Sequence, residues 1–305
     1  MGHLRTARLA LVFVVYVVGI ATGCRSTAPA RPSTAPDRSS VQPAGAPVCA
    51  SLIEGADRLA SSTVLLGERH GTAEIPALFA DLVCDAASRH QGQTVLVGLE
   101  LPVSTQPAID LLLDGPEKDA GTRALLAHSF WQQDTQDGRT SQAMLALLER
   151  LRTYRAQGMR LAVRAIDSNT GQDRDAFMAG TLSEAIATVR PAQTMVLVGD
   201  LHSRIIKGYP WKPDDEYRPL GTRLRDKDPH VLGLNTIWRH AGSAWTCNTS
   251  MECGPGPLRA REFDGPVPRL ALDLDAADKV GWSGTLFVDA VNASPPAIGA
   301  LPGGS

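Results

Sequence analysis

The sequence has almost no net charge: 30 Lys and Arg stand against 32 Asp and Glu, a formal net charge of -2, and the two signs are interleaved along the chain. A nucleic-acid-binding surface needs a basic patch to meet phosphates, so that class of partner is excluded. Electrostatic steering gives no clue to any other partner. Cysteine is sparse, five in 305 residues, and no two have the two-residue spacing of a zinc knuckle. Also missing is an apolar run long enough to cross a bilayer. The longest near the start, Leu9 to Ile20, has about a dozen residues, where a spanning helix needs roughly 20. No repeat of the solenoid kind is visible, which excludes a stacked-repeat architecture.

That short apolar run has the marks of an export signal. Arg5 and Arg8 precede it, and the small residues Ala21, Thr22 and Gly23 lead to Cys24. Ala-Thr-Gly-Cys is similar to a bacterial lipobox, in which the cysteine is lipidated, so residues 1–24 are expected to be a signal peptide with Cys24 as the lipidation site. A lipid-anchored protein on the periplasmic side, at the outer membrane, is expected, with plain cleavage to a soluble secreted protein as the alternative. Without Cys24 an even set of cysteines remains. In an oxidising compartment Cys49 is expected to pair with Cys84 and Cys247 with Cys253, the second pair closing a small loop.

Residues 25–47 are dominated by Ser, Thr, Ala, Pro and Arg and offer only Val41 to a core, so they read as a disordered tether. Residues 48–294 are expected to form one domain and 295–305 a flexible tail. Within the domain, short apolar runs alternate with amphipathic stretches: strand Val64 to Leu66, helix Pro76 to Ala87, strand Val95 to Leu99, helix Met144 to Tyr154, strand Leu161 to Ile166, helix Phe177 to Val189 and strand Met195 to Val198. Pro76 suits a first helical turn, Ser141 and Asp173 suit N-caps, Gly158 ends a helix and Pro191 stops the next. The pattern predicts an α/β fold with a mainly parallel sheet flanked by helices. Later runs at Val231 to Trp238, Leu270 to Leu274 and Leu286 to Val291 are expected to add C-terminal strands, with an antiparallel edge among them.

Four of these strands end on an acid: Gly67-Glu68-Arg69-His70, then Glu100, then Asp167, then Gly199-Asp200-Leu201-His202. In a parallel sheet such ends are neighbours, and ligands bind in the crevice outside them. Residues two apart in extended chain share a face, so Glu68 can meet His70 and Asp200 can meet His202. Such carboxylate–imidazole pairs can activate water by general base catalysis, or Glu68, His70 and His202 can hold a divalent metal that acidifies it. Residue types alone leave both open.

Each residue also has a plainer reading. A lone acid after a strand is commonly a helix N-cap or a turn residue, and Asp167, followed by Ser168 and Asn169, fits a turn best. Arg164, inside an apolar strand, either pairs with Glu68 or Glu100 or extends to solvent from an edge. The segment His128 to Ser141 turns at Gly138 and is expected to cover the site, with Arg139 and Arg69 offered to an anionic group; Phe130 and Trp131 fit an apolar substrate body or a packed corner.

Gly67-Glu68-Arg69-His70-Gly71, with Glu100 and Gly199-Asp200-Leu201-His202, resembles the ChaN-like, erythromycin-esterase-like and Tiki/TraB superfamily over about residues 60 to 240. The resemblance implies an α/β domain with Glu68, His70, Glu100 and His202 in a cleft. ChaN-like members are exported lipoproteins that bind haem through a tyrosine, which directs attention to Tyr209 and Tyr217; the esterases hydrolyse a lactone; Tiki-like members are metal-dependent proteases. The expectation is a hydrolase acting on a small-molecule or peptide substrate, alone or with a metal. The alternative is a non-catalytic haem- or metal-binding uptake protein. A homodimer is expected with either.

Overall fold

A computed structural model of the chain describes Cys49 and residues 52–59, 63–168, 171 and 173–299. The leader with Cys24, the tether and residues 300–305 lie outside the described residues. Among those described, no helix is long and apolar enough to cross a membrane.

In chain order the elements are β1 (Thr63–Glu68), α1 (Glu74–Arg89), β2 (Val95–Pro102), α2 (Gln106–Asp114), α3 (Lys118–Ala127), α4 (Gln142–Ala156), β3 (Leu161–Asp167), α5 (Arg174–Val189) and β4 (Gln193–Gly199). They continue with α6 (Leu220–Arg225), β5 (Leu232–Trp238), β6 (Gly242–Cys247), β7 (Cys253–Leu258), β8 (Arg269–Leu272), α7 (Ala277–Val280) and β9 (Gly284–Val288). Seven strands form one sheet in the order β3-β2-β4-β1-β5-β9-β8. All neighbours run parallel except β8, which lies antiparallel to β9 at the edge. The fold is thus the expected α/β sheet with an antiparallel C-terminal edge. β6 and β7 make a separate antiparallel ribbon.

β1, β2 and β4 are buried along their whole length because layers cover both faces. Val64 and Leu66 join a large core with Phe79 of α1, Ile109 of α2 and Leu148 of α4, while Leu65 joins a second core with Met178 and Leu182 of α5 and Leu220 of α6. This is the two-residue alternation of a strand. Truncating one of these wholly buried leucines to Ala should cost about 2–5 kcal/mol.

The helix signals act where the sequence puts them. Ser141 accepts a hydrogen bond from the Met144 N–H and Asp173 from the Ala176 N–H, and Gly158 takes a left-handed φ of 92° just beyond α4. Two pieces were not expected. α2 and α3 are short and broken by Gly115, and α3 packs so closely on α2 that a Cβ on Gly121 would lie 2.3 Å from Leu112 Cα. The β7 sequence Cys-Gly-Pro-Gly-Pro-Leu has little strand propensity and is held by pairing with β6.

Both expected disulfides are present. Cys49–Cys84 ties the start of the domain to α1, and Cys247–Cys253 links the facing ends of β6 and β7. Residues 295–299, expected in the tail, instead pack on the loop before α4. Pro295 accepts from the Gln142 N–H at 2.8 Å, and Ala297, wholly buried, donates its N–H to Thr140 at 3.0 Å.

Candidate active site

β3, β2, β4 and β1 stand side by side, so their carboxyl ends form one edge. Glu68 lies level with Gly199 across the β1–β4 pair. Only glycine leaves room at position 199 for the side chains of this edge, since a Cβ there would sit 2.9 Å from His70 Nε2 and 3.5 Å from Glu100 Oε2. The loop after β1 is clamped from the far end of the chain: the Gly71 carbonyl accepts from the N–H groups of Trp245 on β6 and of Ser294, each at 2.8 Å.

Glu100, at the end of β2, is the centre of the site. Its Oε2 accepts the Gly199 N–H at 2.7 Å and lies 3.5 Å from His70 Nε2. Its Oε1 accepts from Arg174 Nη2 at 2.9 Å, with His202 Nε2 at 3.6 Å and Arg139 Nη1 at 3.7 Å. Each imidazole is held from behind by a second carboxylate: His70 Nδ1 lies 2.9 Å from Glu68 Oε1, and His202 Nδ1 lies 2.7 Å from Asp175 Oδ1. Asp175 is fixed in turn, accepting the Leu220 N–H at 2.7 Å and the Tyr217 hydroxyl at 3.1 Å. Behind Glu100, the wholly buried Asp167 accepts from Arg139 Nη1 at 3.0 Å and from the Arg174 guanidinium. Asp137 holds the other edge of Arg139.

Exposure separates the roles. The Glu68 and Glu100 side chains are 3% and 4% accessible, whereas those of His70 and His202 are 23% and 17%. An incoming substrate therefore meets two imidazoles, with the carboxylates behind them. Burial by itself would lower the His70 pKa, but Glu100 and Glu68 outweigh it and raise it to about 10. His202 is raised likewise, burial being outweighed by its bond to Asp175 and by the Glu100 charge. Burial would raise Glu100, yet His70, His202 and Arg139 hold it well below the ordinary carboxylate value. Burial and the Asp175 carboxylate together push the Tyr217 hydroxyl up, so it stays a donor.

Of the residues expected at the site, Glu68, His70, Glu100, Arg139, Asp167 and His202 are brought together. Asp200 is not: its exposed side chain turns back to accept the Leu201 N–H at 2.8 Å, so the strand-end rule places it one residue too far round the turn. Arg164 pairs with neither Glu68 nor Glu100, because β3 is the edge strand and its guanidinium donates to the Val163 carbonyl. Arg69 is exposed. Phe130 and Trp131 are buried corner residues, Phe130 lying under the Arg139 guanidinium. Arg174 and Asp175 are site residues that sequence reasoning missed. They sit in the first turn of α5, and the signal is the charged run Asp173-Arg174-Asp175 directly after a strand, which reads as a helix cap and nothing more.

A metal does not fit. Among the described residues no group of three or more His, Cys, Asp or Glu side chains is placed to hold one. In the expected set of Glu68, His70 and His202, every imidazole nitrogen already faces a carboxylate, and Arg139 and Arg174 supply the positive charge beside Glu100. Of the tyrosines considered for haem, Tyr217 gives its hydroxyl to Asp175, and its ring and that of Tyr209 stack on each other.

No family model matches the sequence, and no curated protein matches it. Among solved structures, a variant of erythromycin esterase EreC in its open conformation aligns at 10% identity over 77% of this chain and 92% of its own, with a TM-score of 0.57. The fold is shared with that esterase. A succinoglycan biosynthesis protein aligns at 9% identity over 77% of this chain and 89% of its own, TM-score 0.55. Haem-bound ChaN of Campylobacter jejuni aligns at 11% identity over 59% of this chain and 83% of its own, TM-score 0.36. At these identities the likeness to the esterase and to the biosynthesis protein is one of fold alone.

Proposed function

We propose that the domain is a hydrolase of esters, in which His70, its ring oriented by Glu68, takes a proton from the water that adds to the ester carbonyl and returns it to the alkoxide as the C–O bond breaks. The observation that carries this is the placement of two accessible imidazoles, each backed by a buried carboxylate, at the carboxyl edge of a parallel sheet. Glu68 fixes Nδ1 of His70, so the proton is taken at Nε2, from water that enters between this nitrogen and Glu100 Oε2, 3.5 Å away. Arg139 and Arg174 neutralise Glu100, and His202 presents a second N–H to the carbonyl oxygen as negative charge develops there. A base must be neutral, so at pH 7 only the small unprotonated fraction of His70 reacts, and the rate rises with pH toward about 10. The erythromycin esterase with which the fold is shared supports the ester class.

The leader supports a lipid-anchored, exported protein on the periplasmic side, with Cys24 as the modified residue. Detergent partitioning and mass analysis of the native protein test this, Cys24→Ser being expected to move it to the aqueous phase.

Hydrolysis of an ester and peptide panel by the full chain tests the chemistry. His70→Ala should lower kcat/KM by roughly 10²–10⁴-fold with an unchanged far-UV circular dichroism spectrum. Undiminished activity in that variant would sink the assignment.

A further inference from the structure

The loop between β4 and α6 builds an aromatic ladder that starts inside the site and ends in solvent. Tyr217, whose hydroxyl binds Asp175 and lies 3.5 Å from His202 Nδ1, stacks on Tyr209 with ring centroids 4.4 Å apart and planes 8° from parallel. Tyr209 stacks in turn with Trp211 at 5.2 Å and 16°. Trp211 is 72% exposed, so the last rung has an open face.

The loop is stiffer than its exposure suggests. Tyr209 and Lys212 exchange two backbone hydrogen bonds, at 3.1 and 3.0 Å, around Pro210 and Trp211. Gly208, at a φ of 78°, lies so close to the Pro213 carbonyl that a Cβ would be 2.2 Å from its oxygen. Its N–H donates to Tyr217 at 2.8 Å, which closes the base of the loop. The indole is thus oriented before any ligand arrives, and little conformational entropy is lost on contact. The lysines near the indole are paired, Lys212 with Asp215 at 2.7 Å and Lys207 with Glu216 at 3.2 Å, as is Arg218 with Asp226, and the exposed charge beside them that has no ion pair among the described residues is the acidic Asp214.

We propose that Trp211 is a specificity-determining platform that stacks an uncharged ring of the substrate, a ring with one flat apolar face, while its ester reaches His70. This rests on the hydrolase reading for the ester but not for the ring. A fixed, exposed aromatic face whose neighbouring lysines are paired and whose unpaired neighbour is the acid Asp214 selects flat groups without negative charge, and stacking of this kind discriminates by about three- to tenfold.

Three acetates with the same kind of primary alkoxide leaving group separate the cases: 3-phenylpropyl acetate, methyl 6-O-acetyl-glucoside and nonyl acetate. In the full chain the ratio of kcat/KM for a ring ester to that for nonyl acetate should fall three- to tenfold in Trp211→Ala, and the ester that shows the fall tells an aryl from a glycosyl ring. Binding is read without turnover in His70→Ala by saturation-transfer NMR. Ring protons should be saturated more strongly than acetyl protons, and this contrast should vanish in His70→Ala/Trp211→Ala. If no ester is hydrolysed but the ring contrast depends on Trp211, the platform stands and the hydrolase reading fails. A ring-to-nonyl ratio and a ring contrast both unchanged by Trp211→Ala overturn the proposal. So does a shift of Trp211 fluorescence on phosphatidylethanolamine vesicles with no ring dependence, which would make the indole a lipid contact.

Discussion

Replacing Glu100 by Gln keeps the shape of the side chain and removes the charge that does most to hold a proton on His70. In the intact site the imidazole lies 3.5 Å from Glu100 and 2.9 Å from Glu68, and its pKa of about 10 stands against an ordinary 6.5. At an effective dielectric of about 20, a charge pair at that separation is worth roughly 4–5 kcal/mol, and one pKa unit corresponds to about 1.4 kcal/mol, which sets a ceiling of about three units. Glu68 remains to oppose the burial that lowers His70, so the fall stays within that ceiling. The expected midpoint is roughly one to three units lower. The assay is the pH titration of the His70 Cε1–H resonance in the full chain, assigned by comparison with His70→Ala. The ascending limb of the pH–rate profile should shift by the same amount, because a general base reacts only when neutral. A His70 midpoint that stays in place or rises in Glu100→Gln would refute the electrostatic account. A rate that falls steadily from pH 7 to 10 in the native chain would refute His70 as the base.

The same proton links to folding. His70 has a folded pKa above its unfolded one, so its contribution to stability is fully present below about 6.5 and is lost as pH rises through about 10; Tm should fall between those values, and less so in His70→Ala. Gly199→Ala should displace His70, since the added methyl meets Nε2 at 2.9 Å, and kcat/KM should fall by about 10²-fold while Tm changes little. Asp175→Asn should lower the His202 midpoint and reduce kcat/KM about tenfold; an unmoved midpoint in the same NMR titration would remove Asp175 as its support. Opening Cys49–Cys84 by Cys84→Ser releases a loop of 35 residues, which should cost about 4 kcal/mol and roughly 10 °C in Tm by thermal unfolding.

Much of this arrangement was legible because parallel strands buried on both faces write themselves as short apolar runs, and their carboxyl ends must then lie together. Glu68, His70, Glu100 and His202 follow from that. Asp200 and His202 show the limit: the two-residue rule holds in extended chain, but the backbone turns at Gly199, the His202 N–H bonding the Gly199 carbonyl at 2.9 Å, so the pair separates. Asp175 and Arg174 reach the site from the first turn of a helix, where an acid such as Asp175 also serves the helix dipole, and nothing local tells the two uses apart. The partners of Asp167 could not be read either, since Arg139 comes from a loop whose path is set by distant packing. β6 and β7 were hidden because pairing and a disulfide, rather than propensity, hold them.

The clamp on Gly71 has a consequence for how the protein comes into being. The reactive turn belongs to the earliest strand of the domain, yet its carbonyl is tied by Trp245 and Ser294, and the Ala73 N–H beside it donates to Asn292. As the chain emerges N-terminus first into the compartment where it folds, the sheet centre, with β1, β2, β3 and β4, can assemble well before those partners follow. His70 then waits, on a loop not yet clamped, for Trp245, Asn292 and Ser294. Fragments that stop short of β6 should therefore gain secondary structure without gaining an ordered His70, and competence arrives only when the chain is complete through Ser294.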